Sequence, residues 1–227
     1  MIEMVRRFLR QKYGSAWMIL ALVVLSLLTV ISLLGPRSEA GPAGIALFLL
    51  AAGSVSRDVS SGALQMILSR PIRRTGYLFG RYLGILAAFA AFLAFTWLLT
   101  ALLGTLTRAT GQPLELHLGA AATDLLGEFV TGARNGGILL MFSTFLPGIA
   151  DVLGYVLLQL VLNPPIRNIA VRDAIAAVKR EVFPTTDWLT QSGLLSEGAG
   201  RYALALTVYL TIAAVVFSRR ELPYGQD

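Results

Sequence analysis

Residues 57–81 read RDVSSGALQMILSRPIRRTGYLFGR and lie between two strongly apolar stretches of the chain. The segment is basic, with five arginines and one aspartate. Leu64, Ile67 and Leu68 follow one another at i, i+3 and i+4, which places them on one face of a helix. Pro71 ends such a helix, because the residue before a proline avoids the α region. The pattern predicts a short helix with an apolar ridge and charged ends, suited to docking a partner protein.

The composition of the whole chain indicates a membrane protein. Of its 227 residues, 56% are hydrophobic and 14% are charged, and the mean hydropathy is +0.69. A soluble domain carries about 25% charged residues. Several stretches approach the roughly 20 apolar residues that cross a bilayer as a helix. Because the chain has no cysteine and one histidine, His117, disulfides, thiolate chemistry and a histidine metal cluster are excluded.

We predict an all-α, polytopic membrane protein that forms one transmembrane domain over residues 1–227. Six spans are expected, at residues 15–35, 41–56, 82–104, 125–145, 149–162 and 202–218. Residues 105–124 are predicted to form a polar loop, and 163–201 an external loop. Within that external loop, residues 169–182 have an amphipathic pattern.

Residues 1–14 are predicted to form an amphipathic helix that lies in the membrane interface. A basic amphipathic helix before a span usually takes this position. We expect its polar face to carry the four basic side chains of this segment, which are Arg6, Arg7, Arg10 and Lys12. At the other end of the chain, Arg219 and Arg220 follow the last span directly and are also expected at the membrane surface.

The distribution of charge predicts the topology, because short cytoplasmic segments collect Lys and Arg. Residues 1–14 carry four basic residues and one acidic residue, and 57–81 carry five basic and one acidic. Residues 105–128 carry one basic and three acidic residues. We therefore expect both termini in the cytoplasm and an even number of spans. If residues 136–162 form one broken helix, the number of spans is five.

The segment 57–81 resembles the cytoplasmic loop between spans two and three of type-2 ABC-transporter permeases. Asp58 takes the place of an acidic residue, and Gly62-Ala63-Leu64 that of Gly-Thr-Leu. Leu68-Ser69-Arg70-Pro71 matches the Leu-Ser-x-Pro pattern directly, and Arg74 and Gly80-Arg81 follow at the expected distance. Ala63 for Thr and Arg81 for Lys depart from the family pattern. The resemblance covers about 25 residues closely and the rest of the chain through its span pattern.

The resemblance implies a transmembrane permease subunit whose loop is a coupling helix docked on a separate ATPase subunit. Two permease chains, as a homodimer or a heterodimer, and two ATPase subunits form such a transporter, which is expected to be an exporter in a bacterial-type inner membrane. ATP and Mg belong to the partner subunit, and no cofactor is expected on this chain, which has no phosphate loop. The implied ATPase interface consists of Asp58, Gly62, Leu64, Ile67, Leu68, Arg70, Pro71, Arg73 and Arg74.

Two other classes of function stay open. Arg134 and Asp151 are ionisable residues near predicted spans, and such residues mark substrate or ion pathways by default. They could serve an ATP-independent carrier or channel. The chain could also be a membrane anchor or sensor that recruits a cytoplasmic protein. No catalytic residue and no metal site is predicted, and the basic segments lie beside spans, where anionic lipid and not nucleic acid is the nearest partner.

Overall fold

The computed structural model of the protein describes residues 2–34, 41–60, 64, 73–109, 118–146, 150–163, 169–184, 189 and 197–219. Over these ranges the chain is all-α and forms no strand, which confirms the all-α part of the predicted fold class. The helices are α1 (Ile2–Tyr13), α2 (Ala16–Leu34), α3 (Gly41–Ala51), α4 (Ser56–Ser60), α5 (Arg74–Ala109), α6 (Leu118–Phe145), α7 (Ala150–Leu162), α8 (Ile169–Val182) and α9 (Glu197–Arg219).

Four segments of the described chain are long and apolar enough to cross a membrane, namely Ala16–Leu33, Pro42–Val59, Arg74–Thr107 and Glu197–Arg219. They include the first, second, third and sixth predicted spans. Helix α6 is long enough, at 28 residues, but Asp124, Glu128 and Arg134 make it more polar. Helix α7 is apolar but has only 13 residues, about 20 Å of helix. The fourth and fifth spans therefore stay predictions.

The candidate segment Pro42–Val59 covers the second predicted span as far as Ser56, but the span is not one continuous helix. Helix α3 ends at Ala51 and α4 begins at Ser56. Between them, Gly53 adopts a φ of +65°, a left-handed conformation that glycine reaches without a steric penalty. The break therefore has a local cause at Gly53.

The predicted loop at residues 105–124 is wrong at both of its ends. Helix α5 continues to Ala109 and α6 begins at Leu118, while residues 110–117 lie outside the described ranges. Thr107 and Thr123 donate their hydroxyl groups to carbonyls three or four residues earlier. These bonds satisfy the polar side chains inside the helices, so their polarity does not indicate a loop.

The segment 163–201, predicted as a loop, contains α8 and the beginning of α9. The amphipathic pattern at residues 169–182 is confirmed as a helix, with matching bounds. The contact pattern divides the chain into two compact units, which are residues 51–82 with 134–227, and residues 2–50 with 83–133. Tyr77, Leu139 and Phe217 are buried in the first unit, and Phe8 and Phe89 in the second.

Candidate functional site

The segment 57–81 is described only at its flanks and at Leu64. Gly62, Ile67, Leu68, Arg70 and Pro71 lie outside the described residues. The first flank is α4, and the second consists of Arg73 and the first two turns of α5. Leu64 is 1% exposed, so its side chain packs within the protein and is not available at the surface. The sequence predicts Leu64 on an apolar ridge that faces a partner, and its burial weighs against that role.

A buried polar cluster joins the two flanks. The carboxylate of Asp58, on α4, accepts a hydrogen bond of 2.5 Å from the Tyr77 hydroxyl and pairs with the guanidinium of Arg81. Arg81 Nε also donates to the Tyr77 hydroxyl oxygen across 3.2 Å. Asp58 is 5% exposed, and Arg81 8%. Asp58 therefore faces the interior of the protein and not the partner surface that the sequence predicts for it, and its partner there is Arg81.

The same cluster continues to the end of the last helix. The Tyr77 ring stacks on the ring of Phe217, with centroids 5.7 Å apart. Three residues before Tyr77, Arg74 Nη1 donates to the Ser218 carbonyl oxygen across 2.9 Å. Helix α4, the start of α5 and the end of α9 are thus connected through polar and aromatic contacts. Arg73, which precedes α5, is exposed.

The N-terminal helix is amphipathic, but one of its basic residues lies on the apolar side. Arg6, Arg7 and Arg10 are exposed, as expected. Lys12 is 6% exposed, and its Nζ donates to the Leu49 carbonyl across 3.2 Å and lies over the ring of Phe8. The prediction that Lys12 belongs to the exposed basic face is therefore wrong. Lys12 and the buried Phe8 are four residues apart, and residues at this spacing share one face of a helix.

Helix α1 packs closely on α5 within the second compact unit. A Cβ atom at Gly84 would lie 2.9 Å from the ring of Phe8, so glycine is required for this approach. The Tyr13 hydroxyl donates to the Ala88 carbonyl oxygen across 2.8 Å. Burial raises the pKa of Tyr13 above its usual value. The neutral hydroxyl therefore keeps this bond over the physiological pH range, and its contribution is lost only at strongly alkaline pH. At the other terminus, Arg219 is exposed, and Arg220 lies outside the described residues.

Asp151 is buried at the first turn of α7 and holds the break between α3 and α4. Its side chain is fully buried, and Oδ2 accepts a hydrogen bond of 2.8 Å from the Gly53 amide. Ser143 Oγ accepts hydrogen bonds from the amides of Val55 and Ser56, at 3.1 and 3.2 Å. These two side chains satisfy backbone groups that a continuous helix would have paired internally. Asp151 therefore has a structural role at the turn.

Arg134 is also occupied by contacts within the protein. Its Nη1 donates to the Pro184 carbonyl across 2.6 Å, and its guanidinium lies 5.3 Å from the ring centroid of Phe183. Phe183 in turn meets the ring of Tyr155 edge-to-face. Arg134 thus fixes the residues that follow α8 onto α6. The sequence predicts Arg134 and Asp151 as one candidate pathway, whereas their contacts assign them to separate structural tasks.

Tyr77, Ser143 and Gly53 are the residues of these clusters that sequence reasoning missed. Tyr77 lies four residues before Arg81 in a helix, so the spacing alone could have predicted their contact. Ser143 has no comparable signal, because its partners are backbone amides 87 and 88 residues away. Among the residues that the structure describes, no three His, Cys, Asp or Glu side chains are grouped so that they could hold a metal ion.

Over the described residues the protein is all-α, with four segments long and apolar enough to cross a membrane and a buried polar cluster of Asp58, Tyr77 and Arg81. The chain was compared with protein-family models and with curated proteins, and neither comparison gave a match. Its function is therefore inferred from its own residues.

Proposed function

We propose that the chain is the membrane-spanning permease subunit of an ATP-driven transporter of the ABC type, acting as an exporter. In this proposal the protein has six spans, with α6 and α7 as the fourth and fifth, and both termini lie in the cytoplasm of a bacterial-type cell. Two permease chains pair with two ATPase subunits, and α1 lies along the inner face of the membrane. The substrate class stays open.

The observation that carries the proposal is the sequence of residues 57–81, with its Leu68-Ser69-Arg70-Pro71 pattern between two spans. The contacts around this segment support it. Asp58 before the pattern and Arg81 after it are paired, so both ends of the segment are attached to the same buried cluster. A partner that moves the segment therefore acts on α4, α5 and, through Tyr77 and Phe217, on α9.

This connection suggests how the ATPase drives transport. Closure of the two ATPase subunits around ATP pulls on residues 57–81. The Asp58–Arg81 pair keeps the two flanks together, so they move as one body and reorient the attached helices. The binding energy of the ATPase is then converted into a conformational change of the membrane helices. The buried cluster of Asp58, Tyr77 and Arg81 is closely packed, so it moves as a unit when the segment is pulled.

The first test is purification of the full-length tagged chain in a mild detergent, with mass spectrometry of the proteins that co-purify. We expect a stoichiometric ATPase subunit that contains a phosphate loop. Arg73→Glu should strongly reduce its recovery, because Arg73 belongs to the segment 57–81 and is exposed. Leu64→Asp is a poorer probe, since a carboxylate at a buried position destabilises the fold itself.

Arg172→Glu is the matched control, because it makes the same charge change at an exposed arginine on α8, in the segment predicted to be external. It should leave the ATPase bound. If the folded chain purifies without any nucleotide-binding protein, the permease proposal fails. A carrier or a non-transporting anchor then becomes the better interpretation, and recovery of a different cytoplasmic protein distinguishes the anchor.

A further inference from the structure

A groove runs along the surface between the first two turns of α5 and the last three turns of α9. Its volume is about 380 Å³. The α9 residues that line it recur at helical spacing from Thr207 to Ser218, which corresponds to about 16 Å along the helix. Its walls are formed mainly by Thr75, Phe79, Leu210, Thr211, Ala214 and Ser218.

The groove is more apolar than its hydroxyl-bearing residues suggest. Thr207 donates its hydroxyl to the Ala203 carbonyl, and Ser218 donates to the Val215 carbonyl. These hydroxyls are therefore satisfied inside α9 and add little polarity to the wall. Phe79 is 46% exposed and Val215 is 45% exposed, so large apolar side chains face outward along the groove. Within a membrane, such a surface accommodates an acyl chain.

One end of the groove is strongly basic. Arg74 Nη1 donates to the Ser218 carbonyl oxygen, which brings the start of α5 against the end of α9. Arg73 precedes Arg74 in the chain, and Arg219 follows Ser218, and both are exposed. Arg74 is therefore bonded to a residue that lines this end of the groove, and the exposed Arg73 and Arg219 are the chain neighbours of Arg74 and Ser218. A basic cluster beside a membrane helix attracts anionic lipid headgroups.

From this combination we propose that the groove binds an anionic phospholipid. One acyl chain lies between Phe79 and Ala214, and the phosphate is held by Arg73, Arg74 and Arg219. The charge complementarity selects the ligand, because an anionic phosphate adds an attraction to the exposed Arg73 and Arg219 that a neutral phospholipid in the same groove does not provide. The proposal needs only that the protein is embedded in a membrane, and it does not depend on the transport function.

The test is native mass spectrometry of the full-length protein in detergent, titrated with phosphatidylglycerol or with phosphatidylcholine of the same acyl chains. We expect phosphatidylglycerol to bind more tightly. Replacing Arg73 and Arg219 together by glutamine should weaken its binding about fivefold for each arginine, roughly 25-fold in total. Binding of phosphatidylcholine should not change. The control removes the same charge by Arg6→Gln with Arg7→Gln, and should retain phosphatidylglycerol binding.

A second pair of variants tests the groove itself. Ala214→Phe fills the groove and should weaken phosphatidylglycerol binding at least tenfold, while Ala203→Phe, at an exposed position of α9 outside the groove, should not. Equal binding of the two lipids, or an equal loss in both pairs of arginine variants, would overturn the proposal. It would also be overturned if Ala214→Phe left lipid binding intact and shifted the monomer–dimer equilibrium, because a second copy would then cover the groove.

Discussion

The carboxylate of Asp58 pairs with the guanidinium of Arg81, and the two side chains are only 7% and 9% exposed. The ion pair joins the two ends of the segment 57–81. This segment contains the Leu68-Ser69-Arg70-Pro71 pattern on which the proposed function rests. An ion pair in such a setting has been removed from water at a considerable cost, so it stabilises the protein only while both partners are present.

We expect Asp58→Asn to destabilise the protein by about 3–5 kcal/mol, because it removes the negative charge that pairs with the buried Arg81 guanidinium. The double variant Asp58→Leu with Arg81→Met should recover most of this loss, because it removes both charges. Thermal unfolding in detergent measures both effects. Arg201→Gln, which breaks exposed pairs with Glu181 and Glu197, is the control and should change the unfolding temperature little. An Asp58→Asn protein as stable as this control would contradict the assignment.

Two serines at the break between α3 and α4 should respond in opposite ways to the same substitution. Ser143 Oγ accepts two backbone hydrogen bonds, so Ser143→Ala removes the acceptor of both and should cost about 1–3 kcal/mol. Ser54 Oγ is buried and has no hydrogen-bond partner among the described residues. Ser54→Ala should therefore be neutral or stabilising. The unfolding temperatures of the two variants make the comparison, and a larger loss for Ser54→Ala would contradict this account of the turn.

The left-handed turn at Gly53 predicts a further contrast. Gly53→Ala places a Cβ at a φ of +65° and 3.0 Å from the side chain of Arg57. We expect a loss of about 1–2 kcal/mol, the usual cost of this conformation for an L-residue. A Cβ added at Gly44, in α3, would meet no atom within 4 Å, and Gly44 has no positive φ. Gly44→Ala should therefore stabilise the helix by up to about 1 kcal/mol. Denaturation midpoints of the two variants give the measurement, and an equal response at the two glycines would contradict the assignment of the turn to Gly53.

The helices of this protein are predictable from sequence because their signals are local. Apolar runs predict α2 and α9, and the amphipathic period predicts α1 and α8. The burial of Lys12 is also predictable from the sequence. Lys12 lies about one helical turn after Phe8, on the same face of α1, and both side chains are buried. Helix ends are less predictable where threonine hydroxyls bond back to the helix, as at Thr107.

The tertiary partners are not predictable from sequence. Asp58 could equally cap its own helix, face a partner or find an arginine, and only the fold brings Arg81 to it. Asp151 likewise has the properties of an intramembrane functional group. Its hydrogen bond to the Gly53 amide joins residues that are 98 positions apart in the sequence. The apolar sequence around Gly53 does not indicate that its amide needs a partner on another helix. A charged residue in an apolar stretch can therefore be predicted to be important. Whether its role is structural or functional depends on the residue that it contacts in the fold.

The role of Asp151 can be tested apart from that of the ATPase. Asn keeps one oxygen that can accept the hydrogen bond from the Gly53 amide, but it loses the bond that the second carboxylate oxygen accepts from the Val152 amide, and it cannot carry a charge or release a proton. If Asp151 only holds the turn, Asp151→Asn should retain folding and ATP-dependent transport within about twofold, while Asp151→Ala should lower stability by about 1–3 kcal/mol. The measurement is transport by the reconstituted complex at several pH values, with unfolding temperatures alongside. A proton-linked carrier predicts the reverse, since Asp151→Asn would then abolish transport while the protein remained folded.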